Sequence, residues 1–279
     1  MSLQGANRFG IGPGVVPYQM STSGATQLSG IYTSPNSYAT AIDHTLDELL
    51  ALQYESLYGD DYKQTLGRSI DLGQTITQKL AANTVATVFP SNNSLADQLK
   101  MVARMIKICS DTTVGIQRQV YFVQLGGFDT HTGQITNPAV GVGGQSLQLQ
   151  RLSAALGAFA QALTEIGMDN NVLTFTMSDF SRTLSSNGGG SDHAWGGNHI
   201  VMGNTDTLGG PLRGGRVYGN FPPVVLNGNN SLDRGQMIPD TSVEQMMAPM
   251  ATWMGVQPVD LGAVFPNLAN LGAPLGYLA

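Results

Sequence analysis

Over the first hundred or so residues, apolar positions recur at helical rather than strand spacing. From Ser37, the residues Ile42, Leu46, Leu49, Leu50 and Leu52 fall largely at steps of three and four, which predicts an amphipathic helix. Leu66, Ile70, Leu72 and Ile76 predict a second helix from about Asp61 to Ala82. Pro90 and Asn92-Asn93 then punctuate the chain, and Ser94 is placed to cap a third helix carrying Leu95, Leu99, Val102, Met105 and Ile106. Ahead of these, glycines, prolines and hydroxyl residues surround the short run Val15-Val16-Pro17-Tyr18, which predicts an extended arm over residues 1–36.

The pattern changes at Val120-Tyr121-Phe122-Val123-Gln124-Leu125, a β-branched and aromatic run bounded by Gly126-Gly127 that predicts a buried strand. After a glycine-rich loop around Gly141 to Gly144, the residues Leu149, Leu152, Leu156, Phe159, Leu163 and Ile166 predict a long amphipathic helix ending near Gly167. A second strand is predicted at Val172-Leu173-Thr174-Phe175-Thr176-Met177. Strand, helix and strand in that order imply a right-handed crossover between two parallel strands. A short strand over His199 to Met202 follows, and Thr241-Ser242-Val243-Glu244 reads as a capping box opening a final helix that Pro249 should kink. The pattern predicts one α/β domain over residues 1–279: the arm, a helical portion over 37–110, and a sheet core over 118–279 whose mostly parallel sheet is flanked by helices.

Composition narrows the functional classes. Charged residues make up 11% of the 279 and the net charge is −6, so a nucleic-acid scaffold, which needs a basic surface, is excluded as an expectation. The single cysteine, Cys109, follows Met105, Ile106 and Ile108 and reads as a buried thiol; alone it cannot form a disulfide within the chain or a zinc site of several thiolates. No apolar run is long enough to span a membrane, and the start of the chain has no charged segment followed by an apolar one.

Candidate chemistry lies in three segments. Gly126-Gly127-Phe128-Asp129-Thr130-His131 sets a carboxylate and an imidazole two residues apart behind glycines that permit an unusual turn. Ser178-Asp179-Phe180-Ser181-Arg182-Thr183 puts a carboxylate at a strand end with an arginine able to bind an anion in bidentate fashion. The third runs from Gly188 through Ser191-Asp192-His193-Ala194-Trp195 to His199. Taken singly, an Asp after a strand is a turn or capping residue, and a Gly-rich stretch is a turn. Together they gather His131, His193 and His199, three of the four histidines, with Asp129, Asp179 and Asp192, the donor types that hold zinc or a similar divalent ion. The fourth histidine, His44, falls inside the first helix and reads as a helix-surface or packing residue.

These three segments, with Gly214-Gly215-Arg216-Val217-Tyr218-Gly219, Thr241-Ser242-Val243, Trp253-Met254-Gly255-Val256 and Phe265-Pro266-Asn267-Leu268, resemble the successive motifs of the bacterial family named domain of unknown function 1501. The resemblance implies an alkaline-phosphatase-like and sulfatase-like fold. It implies cleavage of a small anionic ester with one or two divalent metals, zinc foremost and Mn, Mg or Ca as alternatives. By the same resemblance, Asp129 and His131 would bind one metal, Asp179 with Asp192 or His193 a second, His199 would be a ligand or leaving-group acid, and Arg182 would hold the anion. Thr130, Ser178, Ser181 and Ser191 stand as nucleophiles beside an activated water. Members of the family carry an export signal and an earlier Gly-Gly-Asn-Asp-Gly segment that this sequence lacks, so the resemblance implies an exported, periplasmic parent and a chain short of its N-terminal part. No Cys-x-Pro-x-Arg segment is present, which disfavours a formylglycine-type sulfatase.

The leading expectation is therefore a metal-dependent hydrolase of phosphate or sulfate esters. Two others stay open: a non-catalytic exported or surface binding protein that keeps the fold, and a metal-free serine esterase using Ser178 or Ser181 with His193, although no Gly-x-Ser-x-Gly elbow is present. A sheet short of strands would expose an edge and apolar surface, which predicts a homo-oligomer.

Overall fold

The computed structural model describes residues 1–5, 11–12, 18–26, 28, 37–111, 118–136 and 143–279. The run at Val15 to Pro17, the core of the expected arm, and residues 141–142 of the loop at Gly141 to Gly144 lie outside them. The chain forms two compact units, one of Met1–Ala86 with Asp97–Gln124 and one of Thr87–Ala96 with Leu125–Ala279.

The first unit is mostly helical. Helix α1 spans Ser37–Ala51, α2 spans Leu57–Ala82, and most of α3, Ser94–Cys109, belongs here. Helix α1 half-buries Ile42, Leu46 and Leu50 but leaves Leu49 and Leu52 exposed, and His44 stands on its exposed side. Helix α2 starts four residues earlier than the pattern suggests and buries Gly73, Ile76 and Leu80. Its C-terminal carbonyls, which have no partner inside the helix, take donors from Arg104: Nε bonds the Asn83 oxygen at 3.1 Å and Nη2 the Leu80 oxygen at 2.5 Å. Helix α3 is the most buried element, with Leu99, Met101, Val102, Ala103, Met105, Ile106 and Ile108 all inside. The Asn93 side chain accepts from the Ala96 amide at 3.3 Å, so the helix is capped one residue before the expected Ser94. Cys109 is buried, as its apolar neighbours imply, and burial raises its thiol pKa.

The expected strand at Val120 to Leu125 is extended but joins no ladder. Its backbone groups are met partly by a single isolated parallel bridge of Phe122 with Ser2 and partly by a side chain, so no ladder extends along it. The Phe122 amide donates to the Met1 oxygen at 3.0 Å and the Phe122 oxygen accepts from the Leu3 amide at 3.2 Å. The side chain of Gln98, 1% exposed, meets both backbone groups of Gln124 at 2.9 Å, standing in for the edge of a neighbouring strand.

In the second unit, α4 (Gly144–Glu165) is the expected long helix, but its buried stripe is Ala155, Ala158, Phe159, Ala162 and Leu163, while Leu149 is exposed. Alanines admit the closest approach to a helix, and they move the buried face away from the leucine at its start. Six short strands follow: β1 Thr174–Phe175, β2 Ser181–Ser186, β3 Ser191–Ala194, β4 Val201–Met202, β5 Ser231–Leu232 and β6 Gln236–Met237. Among the described residues they form three two-stranded ladders, β1 with β4, β2 with β3 and β5 with β6, all antiparallel. Among the described residues, parallel pairing occurs only as isolated bridges, at Ser2 with Gln19 and Phe122 and at Thr205 with Leu212. The architecture is thus mixed helix and sheet, and the mostly parallel sheet expected from the sequence is not formed by these residues. Strand β1, half-buried rather than enclosed, pairs with β4 from the expected His199 to Met202 segment, and both pack on a cluster of Leu212, Met246, Met250 and Tyr277.

The last long helix, α5 (Val243–Trp253), is followed by the short α6 (Leu261–Val264) and α7 (Leu268–Leu271). Its capping box is Ser242 with Gln245, one residue later than expected: Ser242 Oγ accepts from the Gln245 amide at 3.1 Å and Gln245 Oε1 from the Ser242 amide at 3.0 Å. Thr241 instead donates to the Asp240 side chain. Pro249 lacks the amide that would bond the Gln245 oxygen, and that carbonyl accepts from the Leu275 amide at 3.0 Å. No helix among the described residues is long and apolar enough to cross a membrane. Ser242→Ala should lower the unfolding free energy by about 1 kcal/mol, the usual worth of such a cap, measured by urea denaturation, whereas Thr241→Ala should leave it nearly unchanged.

Candidate functional site

Two loops meet to build the site. The first leaves Gly127, whose φ of +88° is open to glycine, and carries Asp129, Thr130 and His131. It is pinned against the start of α4 by the Gly144 amide bonding the Gly133 oxygen at 2.9 Å. The second is the β2–β3 hairpin, which pairs Arg182 directly with His193 and Ser181 with Ala194. Its turn is held by Asn187, whose side-chain oxygen accepts from the Gly189 and Gly190 amides at 3.0 and 2.8 Å.

At Gly190 the two loops press together. A Cβ there would stand 2.1 Å from the Thr130 oxygen and 2.8 Å from the His131 carbonyl carbon, so only glycine permits the approach. Around it, Ser191 Oγ donates to the Gln134 side chain at 2.8 Å, and Arg182 bridges both loops, bonding the Ser191 oxygen at 2.6 Å and the Phe128 oxygen.

Above this backbone frame lies a charged cluster. Asp129 Oδ1 receives His193 Nε2 at 2.7 Å, His131 Nε2 at 3.1 Å and Arg182 Nη2 at 3.4 Å. Directly opposed residues on a hairpin project from the same face, which is why Arg182 and His193 reach one carboxylate. The other nitrogen of His131, Nδ1, meets Asp192 Oδ1 at 3.1 Å. Asp192 in turn accepts from Asn187 at 2.9 Å and pairs through Oδ2 with Arg234. Phe180 stacks on His193, with ring centres 3.9 Å apart, and lies 4.9 Å from the Arg182 guanidinium carbon.

These contacts shape the titration of both carboxylates. The hydrogen bond from His193, then the charges of both imidazoles and the Arg182 bond, hold Asp129 below the usual carboxylate range. Asp192 is lowered chiefly by Asn187, then by His131 and Arg234.

Asp129, His131 and His193 each offer a ligand atom, and the three atoms lie within 4.8 Å of one another. One carboxylate and two imidazoles with an open side suit a divalent ion that keeps a position for substrate. A tetrahedral ion with bonds of about 2.0–2.1 Å sets its ligand atoms roughly 3.3 Å apart, so the 2.7 and 3.1 Å contacts to Asp129 Oδ1 need only slight opening. Asp192 meets the outer nitrogen of His131, the kind of contact that orients a ligand imidazole.

Not every residue singled out from the sequence arrives. Asp179 is exposed and His199 is exposed, and neither hydrogen bonds nor ion-pairs with a described residue; partial desolvation lowers the His199 pKa. Ser178 Oγ donates to the Phe180 oxygen at 2.8 Å, Ser181 Oγ is buried with no hydrogen-bond partner, and Thr130 is buried behind the loop contact. Arg182, expected on the anion, has its guanidinium on two backbone carbonyls and Asp129. Arg234 and Asn187 enter the cluster without having been expected. Arg234 is placed by the β5–β6 turn, which bonds to β2 through the Leu184 and Ser185 amides at 3.1 and 3.0 Å. The sequence signal was its rarity: residues 152–279 hold only four cations, all arginine.

The fold and the cluster define a mixed helix and sheet protein with an exposed Asp–His–Arg site built from two loops. The family model described as protein of unknown function (DUF1501) matches residues 57–262, and the chain belongs to that family. No curated protein and no solved structure matches the chain.

Gly190→Ala should force the hairpin off Thr130 and His131 and cost about 1–3 kcal/mol, the range for overpacking. Urea unfolding would measure the loss, and the ring signals of His131 and His193 in NMR should move. The same change at Gly157, where a Cβ meets open space, should do neither.

Proposed function

We propose that this chain is a metal-dependent hydrolase of phosphate or sulfate esters, of the alkaline-phosphatase and sulfatase kind that its motifs resemble. The observation carrying this reading is the convergence of Asp129, His131 and His193 on one small volume, with Asp192 behind His131.

A divalent ion held by these three residues would supply Lewis-acid polarisation of the ester's non-bridging oxygens. The chain's own residues do the rest. Asp192 orients His131 and, through Arg234 and Asn187, is itself fixed. Arg182 ties the two loops together and balances Asp129. Two carboxylates face two arginines here, so the fixed charges cancel; a bound divalent ion would leave the site positive, the sign that an anionic ester needs. Phe180 keeps His193 upright by stacking.

The test is elemental analysis of the purified chain with assays on aryl phosphate mono-, di- and triesters and an aryl sulfate, before and after chelation. Stoichiometric metal and chelator-sensitive turnover, both lost in His131→Ala and His193→Ala, are expected. A chain that takes up no ion when zinc or manganese is added, or turnover indifferent to chelation, would overturn the reading. Asp192→Asn should weaken metal affinity by about 10–100-fold, the scale seen when a group orienting a ligand imidazole is removed, with the fold retained by circular dichroism.

A further inference from the structure

Sharing no residue with this cluster, a cleft of about 390 Å³ in the second unit is lined by Thr205, Asp206, Thr207, Arg213, Gly214 and Arg216. That volume lies within the range of small-molecule sites, roughly 300–1,000 Å³. It includes part of the Gly214-Gly215-Arg216-Val217-Tyr218-Gly219 motif, for which the Asp129 cluster has no use.

The charge distribution sets this cleft apart. Of the four arginines in residues 152–279, Arg182 and Arg234 meet carboxylates. Arg213 and Arg216 do not: neither guanidinium hydrogen bonds or ion-pairs with a described residue, although Asp206 lines the same cleft. Asp206 Oδ1 is turned instead to the Thr207 amide at 2.9 Å. Two unpaired guanidiniums around one cleft attract an anion.

The frame beneath them is fixed. The Arg213 amide donates to the Tyr277 oxygen at 2.8 Å, and its carbonyl accepts from the Tyr218 hydroxyl at 2.7 Å. Leu212, one residue earlier, is buried among Met246, Met250 and Tyr277 and takes backbone bonds to Asn204 and Asp206. Gly214 lets this segment pass Thr205 closely, since a Cβ there would lie 3.0 Å from the Thr205 methyl. The hydroxyls of Thr205 and Thr207 bond each other at 2.8 Å; only one hydrogen is consumed, which leaves the other hydroxyl a donor.

We infer that this cleft binds a phosphate or sulfate group on a small molecule. Two guanidinium forks and a hydroxyl offer donors from several directions, which suits three peripheral oxygens; a planar carboxylate, with two oxygens, is satisfied by a single fork. The inference does not rest on the proposed hydrolase activity, because it concerns different residues and is read by binding alone.

Calorimetric titration of the intact chain with inorganic phosphate, sulfate and acetate at constant ionic strength tests it. Phosphate and sulfate should bind, acetate much more weakly, and Arg213→Ala and Arg216→Ala should each weaken phosphate by roughly tenfold or more, the scale of one charge-assisted hydrogen bond. Arg216→Lys, which keeps the charge and loses the fork, should fall between. Lys100→Ala, removing an exposed cation elsewhere, should leave phosphate binding unchanged. Unfolding temperatures without phosphate, equal in all variants, show that the arginine effects are not loss of fold. No binding at millimolar phosphate, acetate binding as well as phosphate, equal loss in Lys100→Ala, or loss in His131→Ala with Arg213→Ala and Arg216→Ala unaffected would overturn the inference.

Discussion

The contact of Gly190 with the Thr130–His131 backbone is the constraint on which the site depends. A side chain there would collide with main-chain atoms, which cannot rotate away as a side chain can. With the hairpin seated, Asp192 reaches His131, and His193 and Arg182 reach Asp129. The charged cluster is the consequence of backbone packing rather than its cause: its carboxylates are accessible to water, where ion pairs alone stabilise little.

Scarcity of charge makes the remaining ionic groups legible. In a chain with 11% charged residues, each arginine of residues 152–279 has either a carboxylate partner or a place in a cleft. Arg182 shows how one such residue holds structure and electrostatics together, since the same guanidinium closes two loop carbonyls and faces Asp129. The Asp129 cluster gathers donors suited to a cation, and the Arg213–Arg216 cleft gathers donors suited to an anion. Both lie on loops braced by buried elements, α4 in one case and the Leu212–Tyr277 cluster in the other.

Side chains and termini also complete backbone bonding where regular ladders are absent. Gln98 stands in for a strand beside Gln124, Met1 to Leu3 serve Val120 and Phe122, and Leu275 takes the carbonyl that Pro249 leaves. These substitutions account for a sheet broken into two-stranded pieces. A hydrophobic run signals burial and extension, but where its amides find partners depends on segments distant in sequence.

The sequence by itself determined the helices and the identity of the site segments. Apolar spacing of three and four located α1 to α4, because helical bonds are local, and the Asp, His and Gly content of 126–131 and 188–193 marked the loops that meet. It also held the family motifs. Only the tertiary structure decided which of those residues share a site: Asp129, His131, His193 and Asp192 converge while Asp179 and His199 stand apart, and Arg234 arrives from a turn some forty residues downstream. It decided strand pairing too, antiparallel in each ladder rather than through a parallel crossover. Pairing and convergence are long-range geometry, set by close contacts such as that at Gly190, and composition and periodicity carry no distance information of that kind.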